Sequence, residues 1–231
     1  MPLKGIFFDL DGTLVDYDAS VEAAFDEAYA LVTRYHPKLE RAAFRRHFDG
    51  TLLVSVVAEQ RGESLYLSRL ERFRQVLKRM GYPDEVLAQR LQDVYSTVRL
   101  TSLVLFSDAA PALDELAPAY HLGLITNGPG AVQRAEIQAL DIGRYFRHIL
   151  VSEEVGYSKP APEIFWRALE TAEIVPEEAL FVGDTPETDI VGAQRAGLRT
   201  VWLNRSGRPW PNDLLPPDHR ISSLSELSEL L

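Results

Sequence analysis

Short apolar runs that alternate with helical patterns constrain the fold of this 231-residue chain more than any other feature. Uninterrupted apolar runs of strand length lie at residues 5–10, 122–126, 148–151, 180–183, 200–203 and, more weakly, 220–221. Such runs are typical of strands that are covered on both faces, as in a parallel sheet. Apolar residues at spacings of three and four predict helices at 109–116, 131–139, 162–172 and 188–196. The alternation predicts βαβ units in an α/β fold with a doubly wound parallel sheet.

Residues 17–100 interrupt this alternation, because they show one helical pattern after another and no clear strand. The stripe that shows this most plainly is formed by Leu67, Leu70, Phe73, Leu77 and Met80. Gly81 follows the stripe and is expected to end the helix. We therefore predict an α/β core made of residues 1–16 and 101–231, with an all-helical domain of residues 17–100 inserted after the first strand.

Composition excludes several classes of partner and site. The formal charge of −10, from 24 basic and 34 acidic residues, disfavours binding to nucleic acid or to an anionic membrane. The absence of cysteine excludes disulfides and thiolate metal sites. No signal-peptide pattern precedes the first strand, and no apolar run approaches the roughly 18 residues of a membrane span. We expect a cytoplasmic protein that is a monomer or a homodimer.

Two aspartates end the first apolar run. Asp9 and Asp11 are two positions apart, so in an extended segment both side chains point to the same side. Gly12 then allows a tight turn. An ionised carboxylate can act as a covalent nucleophile and form an aspartyl phosphate. The second carboxyl group can then protonate a leaving oxygen and later deprotonate a water molecule.

Three further stretches place polar residues after predicted strands. They are Thr126-Asn127-Gly128, Ser158-Lys159-Pro160 and Gly183-Asp184 with Asp189. The carboxyl ends of the strands in an open parallel sheet converge on one crevice, so these residues are expected to share a site. Thr126 and Asn127 can donate hydrogen bonds to phosphoryl oxygens, and Lys159 supplies a fixed positive charge.

Several carboxylates at one edge of a sheet predict a bound cation. Oxygen ligands suit Mg²⁺, which proteins hold through one or two carboxylates together with substrate phosphate and water. Asp9 and Asp184 are the candidate side-chain ligands, and Asp11 could add its backbone carbonyl. A cation there would also screen Asp9 from an incoming phosphate.

Taken together, the motifs resemble those of a known family. Asp9-x-Asp11-Gly12-Thr13-Leu14, Thr126-Asn127-Gly128, Lys159-Pro160 and Gly183-Asp184-x₄-Asp189 are similar to the four motifs of the haloacid dehalogenase superfamily. They occur in the family's order, and the resemblance covers nearly the whole chain. The helical insert is similar to the family's C1-type cap.

The resemblance implies a Mg²⁺-dependent phosphohydrolase that acts on a small phosphorylated metabolite, such as a sugar phosphate or a nucleotide. It implies that Asp9 is the nucleophile, that Asp11 is the general acid and base, and that Asp184 ligates the metal. Thr126 and Lys159 would bind the phosphoryl group. Asp189 would support either the metal shell or Lys159; as a residue in the first turn of a helix it could instead only favour the helix dipole.

The stretch from Thr126 to Gln133 and the pair Tyr145-Phe146 are similar to the branch that holds nucleotidases and N-acylneuraminate-9-phosphatase. Three alternatives stay open: a 2-haloacid dehalogenase, a phosphosugar mutase and a noncatalytic binding module. The dehalogenase resembles the chain less, because a halide leaving group needs no proton from Asp11.

Two further expectations concern residues outside the motifs. Trp166 and Trp202 are expected in the hydrophobic core. The stretch Arg45-Arg46-His47 could meet an anionic substrate, but it is more typical of the solvated face of an amphipathic helix.

Overall fold

Six parallel strands form one sheet in the computed structural model, which describes residues 1–60 and 68–231. The strands are β1 (Gly5–Phe8), β2 (His121–Thr126), β3 (His148–Val151), β4 (Ala179–Gly183), β5 (Arg199–Leu203) and β6 (His219–Ile221). Their order across the sheet is β3-β2-β1-β4-β5-β6, and every neighbouring pair is parallel. This order confirms the predicted doubly wound α/β fold.

The chain divides into two compact units. One unit comprises Met1–Asp16 and Val104–Leu231, and the other comprises Tyr17–Leu103. The second unit contains the helices α1 (Tyr17–Tyr35), α2 (Arg41–Gln60), α3 (Arg69–Arg79) and α4 (Glu85–Thr101). The boundary predicted after residue 100 falls inside the last turn of α4. In the part of the chain that the structure describes, no helix is both long and apolar enough to cross a bilayer.

An aromatic core packs the helical unit. Its largest buried side chains belong to Phe25, Phe44, Phe48, Phe73 and Tyr95. Of the predicted stripe, Phe73 and Leu77 are buried in this core, while Leu67 lies outside the described residues. The Ser68 side chain accepts a hydrogen bond from the Glu71 N–H at 3.2 Å, and this cap begins α3.

Five helices accompany the sheet in the other unit. They are α5 (Ala109–Leu116), α6 (Gly130–Ala139), α7 (Ser152–Val155), α8 (Pro162–Ala172) and α9 (Val191–Arg195). The helix predicted at 188–196 differs, because it starts as a π-helical segment over Pro186–Ile190 before α9. Short 3-10 segments complete the unit at Gly143–Tyr145, Pro176–Glu178 and Leu224–Leu230.

Packing of α8 shows why one of the tryptophan predictions is wrong. Ile164, Phe165, Ala168 and Leu169 form the buried face of this helix. Trp166 falls outside that face and is 49% exposed. Trp202 on β5 is fully buried, as predicted.

The site lies where the strand order reverses, between β1 and β4. From β1 the chain moves outward to β2 and β3 on one side, and later to β4, β5 and β6 on the other. In open α/β sheets, ligands bind in the crevice at such a change of direction. Phe8 is in register with Val182, so the carboxyl ends of β1 and β4 lie side by side.

Candidate active site

Three carboxylates from separate parts of the sequence meet at the carboxyl ends of β1 and β4. Asp9 follows β1 directly, and its N–H donates to the Val182 carbonyl on β4 at 3.0 Å. Asp184 follows β4, and Asp189 lies in the π-helical segment. One oxygen from each carboxylate lies within 4.8 Å of the other two. The sequence placed these residues in one crevice, and the structure brings them together.

Lys159 lies among these carboxylates. Its Nζ is 2.6 Å from Asp9 Oδ1 and 2.7 Å from Asp189 Oδ1, and the residue is only 2% exposed. The ammonium group also lies 5.5 Å from the centre of the Phe181 ring. Because long charged side chains are rarely buried unless they are paired, these contacts hold Lys159 in one position.

Asn127 fixes the backbone of Lys159. Its Nδ2 donates to the Lys159 carbonyl at 2.9 Å, and its Oδ1 accepts from the Lys159 N–H at 2.9 Å. The peptide bond between Lys159 and Pro160 is cis. In this structure Asn127 thus holds the loop that carries Lys159, and its predicted role as a substrate ligand stays a prediction.

Asp189 is engaged through both carboxylate oxygens. Oδ1 contacts Lys159, and Oδ2 accepts from the Thr185 N–H at 3.0 Å. Gly183 is required for this arrangement, because a Cβ at that position would lie 2.5 Å from Asp189 Oδ2. These contacts favour support of Lys159, and direct ligation of a metal by Asp189 stays a prediction.

Gly12 allows the close approach of Asp184 to the loop of residues 9–13. Its φ of 83° lies in the left-handed region that favours glycine. A Cβ on Gly12 would also lie 2.7 Å from Asp184 Oδ2. Asp11 is half-buried in the same loop. The turn that the sequence predicted after Asp11 therefore also makes room for the Asp184 carboxylate.

Thr126 comes from the end of β2 and is 1% exposed. Its hydroxyl donates to Gln133 Oε1 at 2.7 Å, and Gln133 Nε2 donates to Asp11 Oδ2 at 3.3 Å. The predicted contact of Thr126 with a phosphoryl group stays a prediction. Gln133 ends the stretch that starts at Thr126, and the sequence pattern alone indicates no role for it.

Two side chains that the sequence did not predict at the site donate hydrogen bonds to the Asp184 carbonyl oxygen. The Trp202 indole N–H donates to this oxygen at 2.8 Å, and Arg208 Nη2 donates to it at 2.6 Å. Trp202 was expected only as a core residue, and Arg208 lies in a loop without regular structure. Both donors hold the backbone from which the Asp184 carboxylate extends.

Arg205 makes a further contact with the loop of residues 9–13 that the sequence did not predict. Arg205 Nη2 donates to the Thr13 carbonyl at 3.0 Å, and the guanidinium group is paired with Asp108 at 2.8 Å. Arg205 also lies 3.9 Å from the centre of the Phe106 ring. These contacts link the loop of the two aspartates to the amino end of α5.

Burial dominates the electrostatics of the site. It raises the pKa of Asp9 to about 7, against the opposing effect of Lys159 and with smaller contributions from Asp189 and Asp11. Burial, with the charges of Asp189 and Asp9, raises the pKa of Asp184 to about 8. For Lys159, burial alone would lower the pKa, but the attraction of Asp189 and Asp9 outweighs it and raises the pKa.

This charge distribution fits a bound cation. Three carboxylates face one lysine, so the cluster carries surplus negative charge when all are ionised. Its ligand atoms are all oxygens, which suit a hard divalent ion. Asp9 and Asp184 are the residues that could hold such an ion, because neither oxygen of Asp189 is left uncommitted.

Known proteins are similar to this chain over most of its length. A family model described as haloacid dehalogenase-like hydrolase matches residues 3–197. N-acylneuraminate-9-phosphatase of Mus musculus is 32% identical over 99% of this chain and 94% of its own length. Glyceraldehyde 3-phosphate phosphatase of Pyrococcus furiosus is 31% identical over 99% of this chain and 92% of its own length.

One solved structure shows the fold. The HAD hydrolase YfnB of Bacillus subtilis, crystallised with magnesium, superposes with a TM-score of 0.82 over 100% of this chain and 99% of its own. The two sequences are 24% identical, so this match carries the architecture alone.

Proposed function

This chain belongs to the haloacid dehalogenase-like hydrolase family, and we propose that it is a phosphatase that cleaves small phosphate monoesters through an aspartyl phosphate on Asp9. The observation that carries the proposal is the position of Asp9. Its carboxylate is buried at the end of β1, 2.6 Å from Lys159 and beside Asp184. A buried carboxylate held between a cation and a second carboxylate is a candidate nucleophile rather than a solvated turn residue.

The first step transfers the phosphoryl group to Asp9. The Asp9 carboxylate attacks phosphorus, and the bond from phosphorus to the leaving oxygen breaks. Lys159 neutralises negative charge on the attacking carboxylate and on the phosphoryl oxygens. Asp11 gives its proton to the leaving oxygen.

The second step releases inorganic phosphate. Asp11, now ionised, takes a proton from water, and the water oxygen attacks the phosphorus of the aspartyl phosphate. The bond between phosphorus and Asp9 breaks, and the carboxylate is regenerated. Uncatalysed hydrolysis of phosphate monoesters is so slow that accelerations of up to about 10²¹ are known, which accounts for the use of a nucleophile, an acid and a cation together.

We propose Mg²⁺ as the cofactor, held by the side chains of Asp9 and Asp184 and by the Asp11 carbonyl. When bound, the ion supplies the positive charge that allows an anionic carboxylate and an anionic phosphate to meet. The geometry supports this assignment, since one oxygen of Asp9 and one of Asp184 lie within 4.8 Å of each other, and oxygen ligands suit this ion.

A screen of phosphorylated metabolites tests the proposal. The panel contains sugar phosphates, triose phosphates and nucleotides, with phosphate release measured in Mg²⁺ and in EDTA. We expect the wild type to hydrolyse at least one compound in Mg²⁺ and Asp9→Asn to hydrolyse none. The exposed Asp213→Asn makes the same chemical change in the same unit and should leave the activity unchanged.

Each rival function predicts a different result, either in this screen or in separate assays with 2-haloacids and with analysis of the sugar phosphates formed. Halide release from 2-haloacids would indicate the dehalogenase, and interconversion of sugar phosphates without phosphate release would indicate the mutase. A wild type that turns over no compound in Mg²⁺ would favour the noncatalytic binding module.

A further inference from the structure

Gln133 connects two residues of the site that come from separate parts of the α/β unit, Thr126 at the end of β2 and Asp11 in the loop after β1. Its side chain is on α6 and is 4% exposed, although glutamine is mostly a surface residue. Its Oε1 accepts from the Thr126 hydroxyl at 2.7 Å, and its Nε2 donates to Asp11 Oδ2 at 3.3 Å. One amide thereby joins the end of β2 to the loop that follows β1.

The chemistry of these contacts requires an amide. An amide carries an acceptor and a donor in one plane, and both are used here. In the reversed orientation the amide oxygen would face an Asp11 oxygen, which would bring two acceptors together. Methionine has a similar shape but no donor, and glutamate would place a second carboxylate against Asp11.

Packing holds the amide in this position. Gly128, with a φ of 148°, lies against the Gln133 side chain. A Cβ on Gly128 would lie 3.1 Å from both Cγ and Nε2 of Gln133. The absence of a side chain at residue 128 thus leaves the space that the glutamine fills.

We propose that Gln133 is a positioning residue that orients the Asp11 carboxyl group for proton transfer to the leaving oxygen. The inference rests on the proposed function, in which Asp11 protonates that oxygen. Donation from Nε2 to Oδ2 restrains the rotation of the carboxyl group. A general acid must lie within hydrogen-bond reach of the group that it protonates, so a carboxyl group that rotates freely is a poorer acid.

The dependence on the leaving group tests this role. Gln133→Met removes the donor, and Gln138→Met makes the same change on the exposed side of the same helix. The readout is kcat/KM for an alkyl phosphate, whose leaving oxygen needs a proton, and for 2,4-dinitrophenyl phosphate, whose leaving group does not. This parameter covers the steps up to formation of the aspartyl phosphate, so the later hydrolysis does not mask the difference.

We expect Gln133→Met to lower kcat/KM for the alkyl phosphate by about 10- to 100-fold, part of the roughly 10²–10⁴ that general acid catalysis supplies. For 2,4-dinitrophenyl phosphate we expect a much smaller loss, and Gln138→Met should match the wild type on both compounds. Equal losses on both compounds would indicate general damage to the site and would overturn the inference. A Gln133→Met variant with the kcat/KM of the wild type on both compounds would also overturn the inference.

Loss of folding and loss of all activity are separate outcomes of this experiment. If thermal melting shows that Gln133→Met does not fold, Gln133→Glu replaces it, because this variant keeps the shape of the side chain and should show the same selective loss. If the wild type hydrolyses neither compound in Mg²⁺, or Asp9→Asn keeps its activity, the proposed function fails and this inference with it. An active wild type without the selective loss contradicts the role of Gln133 alone.

Discussion

Two clusters of charged side chains in this protein use the same kinds of residue in opposite environments. In the α/β unit, Lys159, Asp9 and Asp189 are almost completely enclosed, and Asp184 is half-buried beside them. The other cluster lies on α1 and α2 and consists of Glu22, Asp26, Arg41, Arg45 and Asp49. In that cluster the side chains stay about a third to a half exposed: 34% for Arg45 and 56% for Asp26.

The difference in burial reverses the effect on the carboxyl groups. Burial raises the pKa of Asp9 to about 7 and that of Asp184 to about 8. On the surface, hydrogen bonds from Arg45 and Arg41 lower the pKa of Glu22 instead. The buried cluster therefore carries charges that destabilise the metal-free protein and favour a cation, while the surface cluster is balanced locally. Solvent-exposed ion pairs such as those of the surface cluster contribute little to stability.

Removing the one positive charge from the buried cluster should have the largest effect. We expect Lys159→Met to lower the free energy of unfolding at pH 8 in EDTA by about 3–5 kcal/mol, because the carboxylates lose their partner. It should also abolish phosphatase activity. Urea unfolding measures the first effect, with the exposed Lys78→Met on α3 as the control. If both variants lose the same free energy of unfolding, repulsion among the carboxylates does not destabilise the protein, and the prediction is wrong.

The pH dependence of stability in EDTA should follow the raised pKa values. The ordinary pKa of an aspartate is 3.8, and in the folded protein it is about 7 for Asp9 and about 8 for Asp184. The folded state then binds more protons than the unfolded state, so the free energy of unfolding falls as the pH rises from 4 to 8. Asp184→Asn should show a shallower fall in urea unfolding between pH 5 and 8, and Mg²⁺ should oppose the fall in the wild type. A wild type that becomes more stable than Asp184→Asn as the pH rises would contradict the prediction.

Asp108 gives the opposite dependence on pH. Burial would raise its pKa, but hydrogen bonds from Arg205, Ser223 and the Leu224 N–H together lower it to about 2. Its contribution to stability is therefore present above pH 3.8 and is lost as the pH falls toward 2.

We expect Asp108→Asn to cost about 1–3 kcal/mol at pH 7, because hydrogen bonds to a charged acceptor are lost. The cost should shrink on acidification, and denaturant unfolding at pH 7, 4 and 3 measures it. A cost that stays constant to pH 3 would show that packing rather than charge is responsible.

The surface cluster should give the smallest effect. Arg45 contacts Glu22 and Asp49, and its guanidinium lies 4.8 Å from the centre of the Phe25 ring. Arg45→Met keeps an apolar stem near that ring and removes the charge, so we expect a loss of at most about 1 kcal/mol. Thermal melting in low salt and in 1 M NaCl measures the loss, which should shrink in high salt. A salt-independent loss as large as that of Lys159→Met would remove the contrast between the two clusters.

The strands and helices that carry the Lys159 cluster could be predicted from the sequence, because they depend on local patterns. Strand β3 and helices α5 and α8 have the predicted bounds, since an uninterrupted apolar run marks the strand and apolar spacings of three and four mark the helices. Parallel strands bring their carboxyl ends to one edge of the sheet, so Asp9 and Asp184 could be placed together from their positions alone.

The supporting contacts could not be predicted in this way. Gln133 and Asp11 are 122 positions apart, and Arg208 reaches the Asp184 carbonyl from a loop without a periodic pattern. Such contacts depend on rotamers and on the path of loops, which no local spacing encodes. The exposure of Trp166 was missed for a related reason, since its neighbour Phe165 takes the buried position on α8.

We propose above all that the carboxylates of Asp9 and Asp184 form a site for a divalent cation. Isothermal titration calorimetry of Mg²⁺ into metal-free protein at pH 8, with wild type and Asp184→Asn side by side, tests it most directly. We expect the wild type to bind one Mg²⁺ ion per chain and Asp184→Asn to bind none. No binding by the wild type, or equal binding by both proteins, would contradict it.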